Sequence, residues 1–314
     1  MIRYKFKYVL RVVVVFYFLL SVIACNPGGT DTTDNGQNNA PPTFQLSPQG
    51  QENTLEIATW NLENFPLNGS SSVQWISAII QQLDIDLYAV QEIADVPAFQ
   101  QMVDGLPEYE GLYSDDVYDS GEYQKTGIIY KRDMVTVLSR EMLFTNDTYA
   151  FPRPPLLLHI DVEKGGTNFD FYLIVIHLKA YGDTESTDRR RAAALALKNY
   201  MDEKIANAAE EEKDYIVAGD WNDEIDDNAV ENSFQVFIDV PQDYSFLTMP
   251  LAGDTQNASY PSWGSLIDHI LISSDCYVEY ANGTTRTLRL DDQVSSYSSY
   301  VSDHRPVMAI FPVF

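Results

Sequence analysis

Short apolar runs, each closing on a polar side chain, recur along most of this chain and limit what it can fold into. The runs at 55–60, 86–91, 127–130, 156–162, 169–177, 215–218, 267–272 and 307–312 are rich in β-branched and aromatic residues. Their length and composition read as strands. Helical patterns lie between some of them. Ile76, Ile79, Ile80 and Leu83 keep the i, i+3, i+4, i+7 spacing behind a serine-rich cap at 70–72. Ala193, Leu197, Met201, Ile205 and Ala208 form the stripe of a longer helix, starting near Asp188 and ending at the acidic stretch 210–212. Strands mixed with a few helices in no strict alternation predict a layered α/β sandwich. At 314 residues, 45% of them hydrophobic, the chain can bury a substantial core.

The first residues obey a different logic. Arg3, Lys5 and Lys7 precede an apolar stretch, 12–23, that is short for a membrane span. It ends in Val22-Ile23-Ala24-Cys25, which resembles the bacterial lipobox. The resemblance implies a signal peptide at 1–24, cleavage before Cys25 and a lipid on that cysteine. An uncleaved N-terminal anchor is the alternative, and either way the body leaves the cytoplasm. The expected location is the bacterial cell envelope, lipid-anchored and facing the periplasm or the exterior. Residues 25–52 follow as a flexible tether rich in Gly, Asn, Thr, Pro and Gln. No second linker follows, so a single domain is predicted over 53–314, expected to be a monomer.

Charge and cysteines narrow the function. Twenty Lys and Arg face 46 Asp and Glu, a formal net charge of −26. Proteins that grip long duplexes electrostatically show a basic face. Nucleic-acid binding by this chain therefore needs a local patch and a metal. Cys25 belongs to the export signal, which leaves Cys276 alone, as a small buried hydrophobe. No disulfide and no Cys-rich zinc site follow.

The polar residues that close the runs carry the chemistry. They fall in TWNLENF (59–65), VQE (90–92), FPRPP (151–155), HLK (177–179), GDWND (219–223), IDHI (267–270) and SDHRP (302–306). Glu92 and Asp303 are hard oxygen ligands, and Asn61 and Asn222 add neutral oxygens, a set that suits Mg²⁺. His177 and His304 can move protons near neutral pH. Arg153 can hold a phosphate in a bidentate fork.

In this order the motifs resemble those of the endonuclease/exonuclease/phosphatase superfamily, the group of DNase I-like nucleases and AP endonucleases. The resemblance spans about 54–313. It implies an α/β (α+β) fold, a four-layer α-β-β-α sandwich of two mixed β-sheets with the site at one end. It also implies a divalent cation, Mg²⁺ or Mn²⁺ and possibly Ca²⁺. Asn61 and Glu92 match the family's metal-site pair. Asp220 and Asn222 match the residues that orient the nucleophilic water and contact the phosphate. Asp303 matches the carboxylate near the metal, and His304 the histidine acting on the water or the scissile phosphate. Asp268 resembles the carboxylate that fixes that histidine's tautomer. His177 resembles the second catalytic histidine of the DNase I-like branch, and Arg153 its phosphate-contacting arginine.

Some positions stay open. The acidic partner of His177 has no clear candidate among Glu122, Gln124 and Lys125. Glu63 sits where some members are acidic and binds either metal or a nearby water. Asn64, Asp223, Asp226 and Asp227 read as turn caps. His269 follows Asp268 on a strand and points to the opposite face, a structural place. His159 reads as a packing or surface histidine, and 189–191, a run of three arginines, as solvated or paired. The segment 260–263, ending in Trp263, either stacks a base or closes a loop over the core.

The best functional expectation is an exported nuclease that cleaves DNA or RNA by metal-assisted in-line attack of water. A phospholipid or sphingolipid phosphodiesterase, or a phosphatase of the same superfamily, is the alternative. Its inositol-phosphatase branch is disfavoured, because Asp268 is followed by His269 where that branch has arginine. A non-catalytic surface lipoprotein would have lost catalytic positions, and none is lost here.

Overall fold

The predicted runs become strands whose side chains alternate between two buried faces. The structure, a computed structural model, describes residues 42–117 and 123–314. The expected signal peptide, Cys25 and the expected tether up to residue 41 lie outside the described residues. In chain order the first half runs β1 (Leu55–Phe65), α1 (Gly69–Leu83), β2 (Leu87–Ile93), α2 (Val96–Asp104), β3 (Tyr109–Tyr113), β4 (Lys125–Lys131), β5 (Val135–Met142), β6 (Leu156–Lys164) and β7 (Thr167–His177). The second half runs α3 (Thr184–Ala206), β8 (Tyr215–Asp220), α4 (Gln235–Ile238), β9 (Tyr244–Phe246), β10 (Asp268–Ser273), β11 (Thr284–Thr287), α5 (Tyr297–Tyr300) and β12 (Val307–Phe311).

Two six-stranded sheets result, ordered β11-β12-β1-β2-β4-β3 and β5-β6-β7-β8-β10-β9. Each holds one parallel pair among antiparallel neighbours. These are β1 with β2, crossing over through α1, and β7 with β8, crossing over through α3. Between the sheets, Leu55, Ile57, Leu87 and Ala89 share a core with Leu158, Val175, Ile216 and Ala218. On the outer face of the first sheet, Trp60, Tyr88 and Val90 pack with Ile76, Ile79 and Ile80 of α1 and Phe99 of α2. On that of the second, Ile174, Ile176 and Val217 pack with Ala193, Leu197 and Met201 of α3. This is the expected four-layer sandwich of two mixed sheets.

The alternation decides where the polar strand ends point. Leu55 and Ile57 face inward on β1, so Asn61 does too. The same count places His177 on β7, Asp220 on β8 and Asp268 on β10 between the sheets, at one pole. His269 takes the outer face, as its position predicts.

Four strands carried no apolar run: β3, β5, β9 and β11. They are the four edges of the two sheets. An edge strand can join by backbone hydrogen bonds alone, as Thr284–Thr287 does against β12. Helix α2 also lay outside the sequence pattern. Its signal is Asp95, whose carboxylate accepts from Ala98 N at 2.9 Å, with proline in the first turn. The long helix begins at Thr184, behind the Asp183 cap, rather than near Asp188. Packing reaches upstream of 53: Leu46 is buried, Phe44 meets Trp75, and Gln49 N donates to Leu83 O at 2.7 Å. Among the described residues no helix is long and apolar enough to cross a membrane.

Candidate active site

Three inward strand ends meet in register: His177 opposes Asp220, which opposes Asp268 on its other side. The first sheet adds Asn61 and Glu92 at the exits of its parallel pair and Asp303 and His304 just before β12. Glu92, Arg153, His177, Asp220, Asn222, Asp303 and His304 line one cleft of about 690 Å³. Asn61 and Asp268 are buried beside them. All the site residues expected from the sequence, Cys25 apart, therefore come together. A second cavity, of about 620 Å³, lies at the β9 and β11 edges and contains none of them.

Glu92 reaches the cleft against its strand parity. Tyr88 and Val90 face the helices, so alternation alone would send Glu92 the same way. Its φ of 63°, in the left-handed region that side chains avoid, turns it back. Its Oε1 then accepts from Asn61 Nδ2 at 3.2 Å and its Oε2 from Asn64 N at 2.8 Å. Glu63, Asn64 and Asn222 share this left-handed backbone. Such strain concentrated at a cleft marks a site over-determined by its surroundings.

Asn61 ties the two sheets together. Its Nδ2 also donates to Asp220 Oδ2 at 2.9 Å, and its Oδ1 accepts from Glu63 N at 2.9 Å. In this arrangement its amide nitrogen orients the two carboxylates, while Oδ1, with one of its two lone pairs on Glu63 N, keeps the other for a further partner. Asn222 donates from its backbone to Asp220 Oδ1 at 2.9 Å and from Nδ2 to Leu178 O at 3.2 Å.

The histidines differ. His304 Nδ1 meets Asp268 Oδ2 at 2.7 Å, while its Nε2 stands 4.0 Å from Asp220 and 3.9 Å from Asp303. Burial alone would lower the His304 pKa. The charge and hydrogen bond of Asp268, with the charges of Asp220 and Asp303, win and raise it to about 10. Asp220 is pushed up to about 7, by burial first and then by Asp268. His177 is held well below its ordinary value by burial and by Arg153, so it is neutral. Its Nε2 faces Asp220 at 3.5 Å and Glu92 at 3.7 Å, and its Nδ1 has no partner among the described residues. Gln124 instead bridges Arg153 and Asn64, and the Lys125 ammonium binds the carbonyl of Ser114. Glu122 lies outside the described residues.

Oxygen donors suited to a hard cation collect on the first-sheet side. Glu63 Oε2 is buried without a hydrogen-bond partner among the described residues. Its pKa is raised to about 7, by burial and then by the charge of Asp303. Burial likewise raises Asp303. Carboxylates crowded and under-satisfied in this way fit a divalent cation. Asp220, Asp268 and His304 also bring ligand atoms within 4.8 Å of one another. There, however, the closest contact is the hydrogen bond that occupies His304 Nδ1.

Several supporting residues had no assigned role in the sequence. Ser302 Oγ donates to Asn61 O at 2.7 Å and accepts from His304 N at 2.9 Å. Tyr297 donates to His304 O at 2.8 Å. The Tyr260 ring lies 5.0 Å from that of His304, and Trp263 stands 82% exposed on the rim. Within the arginine run, Arg190 is buried with its Nη2 2.9 Å from the partly exposed Asp223, so Asp223 does more than cap a turn. His269 is buried, its Nδ1 2.9 Å from Thr248 Oγ1 and its Nε2 3.0 Å from Asp223 O. His159 lies 3.3 Å from Asp170, partly exposed.

Residues 58–304 match the model of the Endonuclease/Exonuclease/phosphatase family. No curated protein matches the chain. Among solved structures, Danio rerio TDP2 complexed with single-strand DNA product is 20% identical, with a TM-score of 0.57, covering 82% of this chain and 98% of that one. A Bacteroides thetaiotaomicron mannosyl-6-phosphatase is 20% identical, with a TM-score of 0.55 and coverage of 81% and 98%. The human Nocturnin catalytic domain with bound sulfate is 17% identical, with a TM-score of 0.60 and coverage of 83% and 95%. At such identities the likeness is one of fold.

Proposed function

The chain belongs to the endonuclease/exonuclease/phosphatase family, and from that premise we propose that it is a metal-dependent phosphodiesterase acting on nucleic acid. The observation that carries the reading is the cleft itself. A histidine held protonated, a carboxylate near neutrality and an arginine face one space beside an under-satisfied carboxylate group. His304, held by Asp268, donates from Nε2 to a phosphoryl oxygen. Asp220, with Asn222, positions the attacking water and accepts its proton. Arg153 grips a second phosphoryl oxygen. His177, neutral, stands ready to hydrogen-bond the leaving side. Glu92, Glu63 and Asp303 would hold the divalent cation, which when bound supplies neutralisation of phosphoryl charge.

Exposed aromatics on the rim, Tyr181 and Trp263, support a base-bearing substrate. A small phosphate ester is the competing substrate. Among the described residues the lysines and arginines lining the cleft are Arg153, Lys179 and Arg190, and Arg190 is tied to Asp223. The deciding experiment offers the protein, with Mg²⁺ or Mn²⁺, DNA, RNA, sphingomyelin, sugar and inositol phosphates and a bis-aryl phosphodiester. Preference for DNA or RNA supports the proposal. Hydrolysis of only a monoester or a lipid removes it.

The lipobox reading adds an envelope location through a lipid on Cys25. Cys25→Ser should then release the protein from membranes. Unchanged partitioning of that variant would refute the anchor.

A further inference from the structure

We propose that Tyr181 is a specificity residue whose ring stacks on a nucleobase next to the scissile phosphate. This rests on the nucleic-acid reading above. Tyr181 stands on the loop between β7 and α3, four residues past His177, and lines the same cleft as His177 and Arg153. It is 74% exposed, so its ring contributes little to the core. Its backbone is nevertheless held at φ 83°, where a bulky side chain is strained. Gly182, next in the chain, could adopt that geometry freely and does not.

Arg190 maintains the strain. Its Nη1 donates to the carbonyls of Lys179 at 2.9 Å and Tyr181 at 2.7 Å. Its Nε and Nη2 hold Asp223 Oδ2 at 3.0 and 2.9 Å, and the side chain is almost fully buried. This ion pair, its arginine buried and its carboxylate partly exposed, thus bridges the exits of β7 and β8 and fixes the backbone of an exposed aromatic at the mouth of the cleft. The Lys179 ammonium lies 4.6 Å from the centre of the Tyr181 ring. One short loop therefore offers an exposed aromatic on a held backbone and a cation, the two features that a base and its neighbouring phosphate would engage. Strain kept where it serves no packing is expected of a residue that contacts substrate.

The test compares kcat/KM for a dinucleotide and for the same molecule lacking one base, in the Mg²⁺-loaded protein. In Tyr181→Gly the strain is relieved and the melting temperature should not fall. The ratio of kcat/KM, base-bearing over base-free, should nonetheless drop about tenfold, mainly through KM. Tyr181→Phe should keep the ratio. An unchanged ratio in Tyr181→Gly overturns the proposal. So does an equal loss on both substrates with a lower melting temperature, which marks a structural role. Wild-type protein that cleaves neither dinucleotide yet hydrolyses another phosphate ester overturns the nucleic-acid reading and this inference with it. Cleavage indifferent to Tyr181 overturns the inference alone.

Discussion

At 2.7 Å, the Asp268–His304 contact joins two side chains into one unit. His304→Ala should lower turnover on the order of 10²–10⁴-fold, the range of a positioned acid–base group. Asp268→Asn should lose much of that alone, and the double variant little more, because effects within a unit do not add. Independent multiplication of the two losses would argue against coupling. His269, one residue from Asp268 but on the outer face, gives a different kind of prediction. Burial lowers its pKa to about 4, against an ordinary 6.5. Between those values the unfolded chain takes up a proton that the folded chain refuses, so stability is fully present above pH 6.5 and lost as pH falls towards 4. The contribution is about 3 kcal/mol across that window. Denaturant unfolding of His269→Gln from pH 7 to 4.5 should show a shallower fall than the wild type. An identical pH slope in the two proteins would mean that His269 is not held neutral.

Between elements, one hydroxyl joins the β1 exit to the β12 entry beside the bond from Trp60 to His304 O. Ser302 Oγ satisfies Asn61 O and His304 N, both buried. Ser302→Ala removes both bonds and should cost about 1–3 kcal/mol of stability. It should also lower kcat about tenfold through misplacement of His304, a sensitivity expected of ångström-scale shifts. Thermal melts read beside kinetics check this. Lost stability with full turnover would show that the junction supports the fold and not the site. The elements that the sequence revealed were those with two buried faces. The edges β3, β5, β9 and β11 escaped because a strand with a neighbour on one side needs no apolar run, and β5 exposes most of its side chains.

For the whole molecule, the divalent cation is the quantity to test. The crowding of Glu63, Glu92 and Asp303 predicts that Mg²⁺ or Mn²⁺ stabilises the folded chain, by about 2.7 kcal/mol at a hundredfold excess over Kd. Glu92→Ala should nearly abolish turnover and shrink that stabilisation, and EDTA should silence the wild type until the metal is restored. Full activity in EDTA would remove the cation from the mechanism. The pole opposite the cleft is built from charge as well: Lys164 of the second sheet reaches Asp86 of the first at 3.3 Å, with Lys131 at 3.0 Å from the same carboxylate.

The sequence by itself determined which polar residues end the strands and, through the two-residue period, which face most of them take. Asn61, His177, Asp220 and Asp268 point inward and His269 outward because neighbouring residues encode that alternation locally. Only the tertiary structure decided the rest. The left-handed backbone at Glu92 reverses its parity, the amide of Asn61 bridges two sheets, and the Arg190–Asp223 pair sets the cleft's rim. The opposite shifts of His304 and His177 exist only in the packed chain: Asp268, 36 residues from His304, raises the one, while burial and Arg153 lower the other. Burial and the field of neighbouring charges exist only once distant segments pack, so residue spacing can name these side chains but not set their protonation or their aim.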